Sequence, residues 1–421
     1  MRGTSQLGEM LQQAQRAPAY VVGKHKESQS TLSKGTGKEV KPKSAVKAQV
    51  KVNSDCPIVR TGALVIDMGS GSCKVGYAGQ PRPDSVVASV TGYPRWKNKQ
   101  RIAVGKTVST EPDLVLVQPT HHSIIVDWTA AEDLLRHVFY EDLKVCPEEH
   151  AILISDPPLS PTTNREKIAE FLFESFNVPA MHVSYQSVLA VYSYGKTSGL
   201  VVDSGDRVTH AVPVLEGYNL PDAISRIDLG GHDLTTYLIK LLGEAGNAFH
   251  EKCRYIVEDI KQKCCHVAPD CQNETKQSNQ QHCVDYELPD GHIITIGKER
   301  FKCPEALFNP TLTETNQDGI HTAANISLRK VPPQVRHIMY NNVLLCGGST
   351  LFDGFNLRFC KELYTLSPHG CKPKIHAVPE RKYAVWIGGS ILASLHAFQS
   401  MWIRREDYDD QGPNIVYHMC Y

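Results

Sequence analysis

The stretch Gly62-Ala63-Leu64-Val65-Ile66-Asp67-Met68-Gly69-Ser70-Gly71-Ser72-Cys73-Lys74-Val75-Gly76-Tyr77 decides the fold. Residues 63–66 form a short apolar run that reads as a buried strand, 67–72 a glycine-rich turn, and 73–77 the returning strand. The same plan returns 136 residues later in Gly199-Leu200-Val201-Val202, then Asp203-Ser204-Gly205-Asp206-Arg207, then the apolar residues 208–214. Two copies of strand, Asp-x-Gly turn and strand predict a duplicated α/β architecture with a cleft between the halves.

Working outward, residues 161–167 open a helix that carries Ile168, Leu172 and Phe173, and residues 187–194, 233–242 and 254–264 read as three more. Strands alternating with helices place the chain in the α/β class. A third glycine element, Cys346-Gly347-Gly348-Ser349-Thr350, follows the apolar run Val343-Leu344-Leu345. Residues 383–395 read as a glycine-hinged passage from strand to helix.

The chain has 421 residues, 41% hydrophobic and 21% charged, so fibrous and disordered classes are excluded for most of its length. Its 45 basic and 45 acidic residues cancel, but unevenly. Residues 1–60 hold eleven Lys or Arg against four Asp or Glu and no Phe or Trp, which reads as a basic disordered extension of charge +7 on a body of −7. No apolar run approaches the roughly 18 residues of a membrane span. Thirteen cysteines and an N-terminus without an apolar leader point to a reducing, intracellular compartment. Cys253, Cys264, Cys265, Cys271 and Cys283 cluster in sequence with His266 and His282, but their spacings fit no structural zinc pattern.

The turns have a chemistry in common. A polyphosphate with a divalent ion requires converging amides and carboxylates that hold the metal's waters. Gly69, Ser70 and Gly71 with Gly205 and Asp206 offer the amides, Asp67 and Asp203 at strand ends offer the carboxylates, and Lys74 offers a counter-charge.

Three further stretches carry a family resemblance: Glu174-Ser175-Phe176-Asn177-Val178-Pro179-Ala180-Met181, Glu287-Leu288-Pro289-Asp290-Gly291, and Glu380-Arg381-Lys382-Tyr383-Ala384-Val385-Trp386-Ile387-Gly388-Gly389-Ser390-Ile391-Leu392-Ala393-Ser394-Leu395. With the two turns they make residues 61–421 resemble the actin superfamily, and within it the divergent actin-like proteins of male germ cells. The resemblance implies the actin/Hsp70/hexokinase fold, with two duplicated α/β halves divided into four subdomains around a nucleotide cleft. On that pattern subdomain 1 takes residues 61–88, 119–193 and 384–421, subdomain 2 takes 89–118, subdomain 3 takes 194–229 and 317–383, and subdomain 4 takes 230–316.

Carried over position by position, Asp67, Gly69, Ser70, Gly71 and Lys74 match the family's first phosphate loop, and Asp203, Ser204, Gly205 and Asp206 match its second. Gly347, Gly348 and Ser349 match the loop over the nucleotide, Lys261 and Lys382 match residues at the adenosine, and Gln186 and His210 match the pair that orients the attacking water. The resemblance thus implies ATP or ADP with Mg or Ca, the ion held through water by Asp67 and Asp203. Neither Gln186 nor His210 is a strong base, so such a site would hydrolyse slowly, by positioning. Tyr192, Ile391, Leu392, Leu395 and Met401 match an apolar groove that takes a partner's amphipathic helix.

Departures from the pattern carry information. Arg207 stands where the family has a glycine; a positive φ there would cost a side chain about 1 to 2 kcal/mol, whereas its guanidinium could also pair with phosphate. Gln262 replaces a glutamate near the ribose, and Met68 an asparagine beside the first turn. The segment 92–128 is short and basic (Arg95, Lys97, Lys99, Arg101), and Thr311-Leu312-Thr313-Glu314-Thr315-Asn316-Gln317-Asp318-Gly319 replaces an apolar inter-strand plug, so homopolymers are not expected.

The expectation is a non-enzymatic structural subunit, nucleotide-loaded, in a cytoskeletal scaffold at the acrosome and perinuclear theca of developing sperm. Its expected partners are other actin-like or actin-binding proteins of the sperm head. An active ATPase on the same fold is the alternative, as is a nuclear actin-related subunit of a chromatin complex, favoured by the basic extension alone. That extension has no dense basic run and no aromatic interleaving, so nucleic acid is not an expected partner.

Overall fold

The computed structural model describes residues 62–95, 102–105, 108, 114–369 and 371–420. The basic extension and Lys97, Lys99 and Arg101 lie outside them. The duplication expected from the two turns is visible in two sheets. The first has six strands in the order Ile403–Arg404, Ala180–Tyr185, Ile152–Asp156, Leu64–Met68, Ser72–Tyr77, Ser85–Ala88. The second runs Tyr218–Asn219, Thr209–Leu215, Gly199–Ser204, Val343–Cys346, Ile375–His376, with Ser225–Ile227 added against Thr209–Leu215.

In each sheet an antiparallel hairpin closes over the Asp-x-Gly turn, and its first strand pairs parallel with a later strand: Leu64–Met68 with Ile152–Asp156, and Gly199–Ser204 with Val343–Cys346. The register places Lys74 opposite Asp67 and His210 opposite Asp203. The central strands are buried throughout, as parallel strands covered on both faces must be.

Between the sheets lie two helices, Gln186–Ser193 and Ala384–Ser394. They share one apolar cluster with Val65 and Leu153 of the first sheet and Val201, Val212 and Leu344 of the second. Trp386 anchors this layer, fully buried and donating from its indole nitrogen to the Val65 carbonyl at 3.0 Å. A separate cluster fills the outer side of each half.

The helices at 162–170, 231–244 and 254–264 fall where the periodicity predicts them. Residues 383–395 do not follow expectation. No strand precedes the glycines; Pro379–Tyr383 is a 3₁₀ turn and Ala384–Ser394 is continuous helix. The pair Gly388-Gly389 is not a hinge but a contact surface. A β-carbon on Gly388 would stand 1.7 Å from the Leu189 carbonyl oxygen, and one on Gly389 would stand 2.7 Å from Val65 Cγ1, so bare backbone lets the two central helices touch.

A three-stranded sheet of Ala103–Val104, Thr91–Pro94 and Leu114–Val117 sits on the first half, followed by the hairpin Thr120–His121 with Ile124–Ile125. In the segment 311–319 Glu314 has a left-handed backbone and pairs with Lys240 at 2.7 Å, and the Gln317 carboxamide oxygen accepts from the Asp228 amide at 2.8 Å. The segment is thus folded onto its own chain. No helix among the described residues is long and apolar enough to cross a membrane.

Candidate functional site

Both Asp-x-Gly turns have the same local closure: the Gly69 amide donates to the Ser72 carbonyl at 3.2 Å, and the Gly205 amide to the Val208 carbonyl at 3.0 Å. None of Gly69, Gly71 and Gly205 has a positive φ; Gly69 and Gly71 serve close approach, whereas a β-carbon on Gly205 would meet the Val208 carbonyl oxygen at an ordinary 3.5 Å. A β-carbon on Gly71 would lie 2.8 Å from Asp206 Cβ, which means that the two turns meet across the cleft. Gly347 is different: its φ is +86°, and a β-carbon there would strike the Ser204 carbonyl oxygen at 2.1 Å and Asp203 Oδ1 at 2.4 Å. The third glycine element therefore lies directly against the second turn, with Ser349 Oγ donating to the Gly205 carbonyl at 2.7 Å.

The carboxylates gather on the cleft floor. Asp67 pairs with Lys74 (Nζ to Oδ2, 3.0 Å), accepts from Ser155 Oγ at 2.8 Å, and lies 3.5 Å from Gln186 Nε2. Burial opposes the Lys74 ammonium, but the neighbouring Asp67 outweighs it and Lys74 titrates above its usual range. Desolvation, followed by the charge of Asp67, pushes the Asp203 carboxyl up to about 6. An acid whose ionisation burial and the neighbouring Asp67 oppose is a group that a cation would relieve. No group of three His, Cys, Asp or Glu that could hold a metal occurs among the described residues, so an ion at Asp67 and Asp203 would keep most of its water.

Lys261 reaches the same place from helix Arg254–Cys264, donating to the Gly231 carbonyl at 2.5 Å and to Thr235 Oγ1 at 2.7 Å. A β-carbon on Gly231 would be 3.5 Å from Asp206 Oδ1 and 3.4 Å from Lys261 Nζ, so the start of helix Gly231–Glu244 abuts the second turn. Lys382 passes Gly348, whose β-carbon would be 4.0 Å from Lys382 Cγ. Ser70 holds the hairpin 120–125 by accepting from the Ser123 amide at 2.7 Å. His210 is buried, its Nε2 has no hydrogen-bond partner, and desolvation lowers it to about 3, so it is a neutral imidazole.

The structure thus brings together Asp67, Gly69, Ser70, Gly71, Lys74, Gln186, Asp203, Ser204, Gly205, Asp206, His210, Lys261, Gly347, Gly348, Ser349 and Lys382. Sequence reasoning missed Ser155, Gly231 and its neighbour Gly230, where a β-carbon would stand 2.5 Å from the Asp206 carbonyl oxygen. Ser155 was legible, since it ends the apolar strand Ile152–Asp156 as Asp67 and Asp203 end theirs, and strand C-termini face the crevice in such sheets.

The structure places the three departures. Arg207 is not among the positive-φ residues, so its side chain carries no left-handed penalty; it points to Gln118 and lies 3.8 Å from Asp206. Met68 is buried in the first-half core. Gln262 is exposed.

The apolar groove is likewise reduced. Tyr192 and Leu392 are 1% and 3% exposed and belong to the layer between the sheets; they are core, because the helix pair closes over them. Ile391, Leu395 and Met401 are half-buried and remain available at the surface.

The family model described as Actin matches residues 58–421. Actin-like protein 7A of Homo sapiens is 47% identical over 368 residues, covering 86% of this chain and 84% of that protein. Actin-like protein 7B of Homo sapiens is 48% identical over 367 residues, 85% of this chain and 88% of that protein. Actin-like protein 9 of Bos taurus is 48% identical over 369 residues, 86% and 89% respectively.

Proposed function

The chain belongs to the actin family, with the cytoskeletal role that membership carries, and from that premise we infer a nucleotide-loaded, non-enzymatic scaffold subunit of developing sperm. The observation that carries nucleotide binding is the meeting of Gly71 with Asp206, and of Gly347 with Ser204 and Asp203, beside the Asp67 and Lys74 pair. In this reading the turns at 69–71 and 204–206 and the Gly347–Ser349 element cradle the phosphates of ATP or ADP. Asp67 and Asp203 orient the waters of a Mg or Ca ion, and Lys261 and Lys382 flank the nucleoside. The bound ion supplies charge neutralisation for the phosphates.

A scaffold role with slow turnover at most is supported by the chemistry of the two residues at the water position. Gln186 hydrogen-bonds weakly to Asp67 and Ser155, and neutral His210 offers an uncharged nitrogen. Both position water without ionising it. Placement at the acrosome and perinuclear theca, with actin-like or actin-binding partners, rests on the resemblance to germ-cell members. The charged, self-contained segment 311–319 supports a subunit of mixed assemblies over a homopolymer.

One experiment tests the core of this reading: freshly purified protein is denatured and the released nucleotide identified, with Arg207→Gly alongside. Stoichiometric ATP or ADP with negligible turnover is the expected result. Empty wild type and a loaded variant would make the cleft a relic; rapid turnover would overturn the scaffold reading in favour of a working ATPase.

A further inference from the structure

A hydrogen bond crosses the mouth of the cleft between the two halves. Arg207 Nη2, just past the second turn, donates to Gln118 Oε1 at 2.6 Å. Gln118 lies between the strand Leu114–Val117 and the hairpin 120–125, both on the first half. The hairpin has its own ties: the Ser123 amide to Ser70 Oγ at 2.7 Å, and Arg226 Nη2 to His122 Nδ1 at 2.7 Å, with Asp228 Oδ1 3.4 Å from the same nitrogen. Its two central residues, His122 and Ser123, have φ of 48° and 66°. That is the two-residue hairpin turn with both centres left-handed, a conformation costly for residues other than glycine, so the tip depends on its contacts to stay in place.

Arg207 occupies a distinctive point in this arrangement. Its Nε is 3.8 Å from the Asp206 carboxylate, and Asp206 is the residue that meets Gly71 across the cleft. One guanidinium therefore touches the segment roofing the first turn and the acid of the second. A guanidinium has five donors in a rigid fork, and the Gln118 contact uses one of them. A phosphate oxygen at the turns can be taken by another without releasing Gln118, so ligand and clamp reinforce each other.

We propose that Arg207 is a positioning residue that clamps the 118–125 segment over the cleft and slows the escape of bound nucleotide. The retention role rests on the nucleotide reading above; the clamp itself does not.

The test uses the full chain as wild type, Arg207→Ala, Gln118→Ala, the double variant and Arg207→Lys. Amide hydrogen exchange of residues 118–125 is measured first with no nucleotide added, with the Ser123 amide as reporter. Release of a fluorescent ATP analogue is then followed by stopped flow. Each single alanine variant is expected to raise segment exchange and analogue release about 3- to 10-fold, the range of a partly exposed charge-assisted hydrogen bond. The double variant should do no more than the stronger single, and Arg207→Lys should recover part of the protection. Segment exchange unchanged in both single variants, or single effects that simply multiply, would overturn the clamp. Faster segment exchange with unchanged analogue release would overturn the retention role alone. A wild type that binds no analogue would sink the nucleotide reading and retention with it, while the exchange data still decide the clamp.

Discussion

Gly71 and Asp206 touch across the cleft: a β-carbon on Gly71 would stand 2.8 Å from Cβ and 3.0 Å from Cγ of Asp206. The two phosphate-loop candidates, 135 positions apart in the chain, are therefore one surface. Gly71→Ala forces the halves apart or drives the Asp206 side chain aside. The expected cost is about 1 to 3 kcal/mol, the range of overpacking a close contact. It is read as a lower urea midpoint and a lower nucleotide content, and Asp206→Gly on the same background, which removes the β-carbon at 2.8 Å, should restore part of the midpoint. An alanine variant with unchanged midpoint would mean that the contact yields freely.

Gly388 offers a sharper case, because the obstacle is backbone. With the Leu189 carbonyl oxygen 1.7 Å from where a β-carbon would be, Gly388→Ala must separate helices Gln186–Ser193 and Ala384–Ser394. Loss of soluble protein, or destabilisation of about 3 kcal/mol or more, is expected. Gly243, inside helix Gly231–Glu244 with nothing within 4 Å, is the control. Gly243→Ala should stabilise by about 0.5 to 1 kcal/mol through reduced backbone entropy.

His182 gives a pH dependence with a definite sign. It is buried against Phe398, its Nδ1 donates to the Met401 carbonyl at 3.1 Å, and desolvation lowers it to about 4. Its unfolded value is about 6.5, so between pH 6.5 and 4 the unfolded chain binds the proton more readily. Stability is then lost as pH falls through that window, by about 1.4 kcal/mol per pH unit for this group. His182→Phe should flatten the urea midpoint between pH 6.5 and 5 relative to wild type. Parallel pH profiles would show that the ring is protonated without cost.

Leu392 and Leu395 lie three positions apart on the same C-terminal segment and have opposite roles. Leu392 is buried, and Leu392→Ala should cost about 2 to 5 kcal/mol in folding. Leu395 and Met401 are half-buried, packed by one side on the layer between the sheets, so Leu395→Glu with Met401→Glu should cost less in folding than Leu392→Ala while abolishing capture of an amphipathic-helix partner. Retained capture by that double variant would remove the groove from the partner interface.

The first and second turns were legible because their chemistry is local: an apolar run, an aspartate, small residues, and a returning run fix a hairpin wherever they occur. The role of Met68 was not legible and Gly388 was misread, for a common reason. Each sits beside a recognisable motif, but its role is set by an element distant in sequence, the first-half core for Met68 and helix Gln186–Ser193 for Gly388. Ser155 was readable in principle from its place at a strand end, and Gln118 was not, since nothing near it announces the guanidinium 89 positions away.

By itself the sequence determined the duplicated α/β plan, the identity of the charged floor at Asp67, Lys74 and Asp203, and a site made of three glycine elements. These follow from periodicity and short-range chemistry. Only the tertiary structure decided that Gly71 abuts Asp206, that Gly347 abuts Asp203, that Tyr192 and Leu392 are core, and that Arg207 reaches back to Gln118. Each of those depends on how two sheets close over a pair of helices, and close packing between distant segments leaves no periodic trace in the chain.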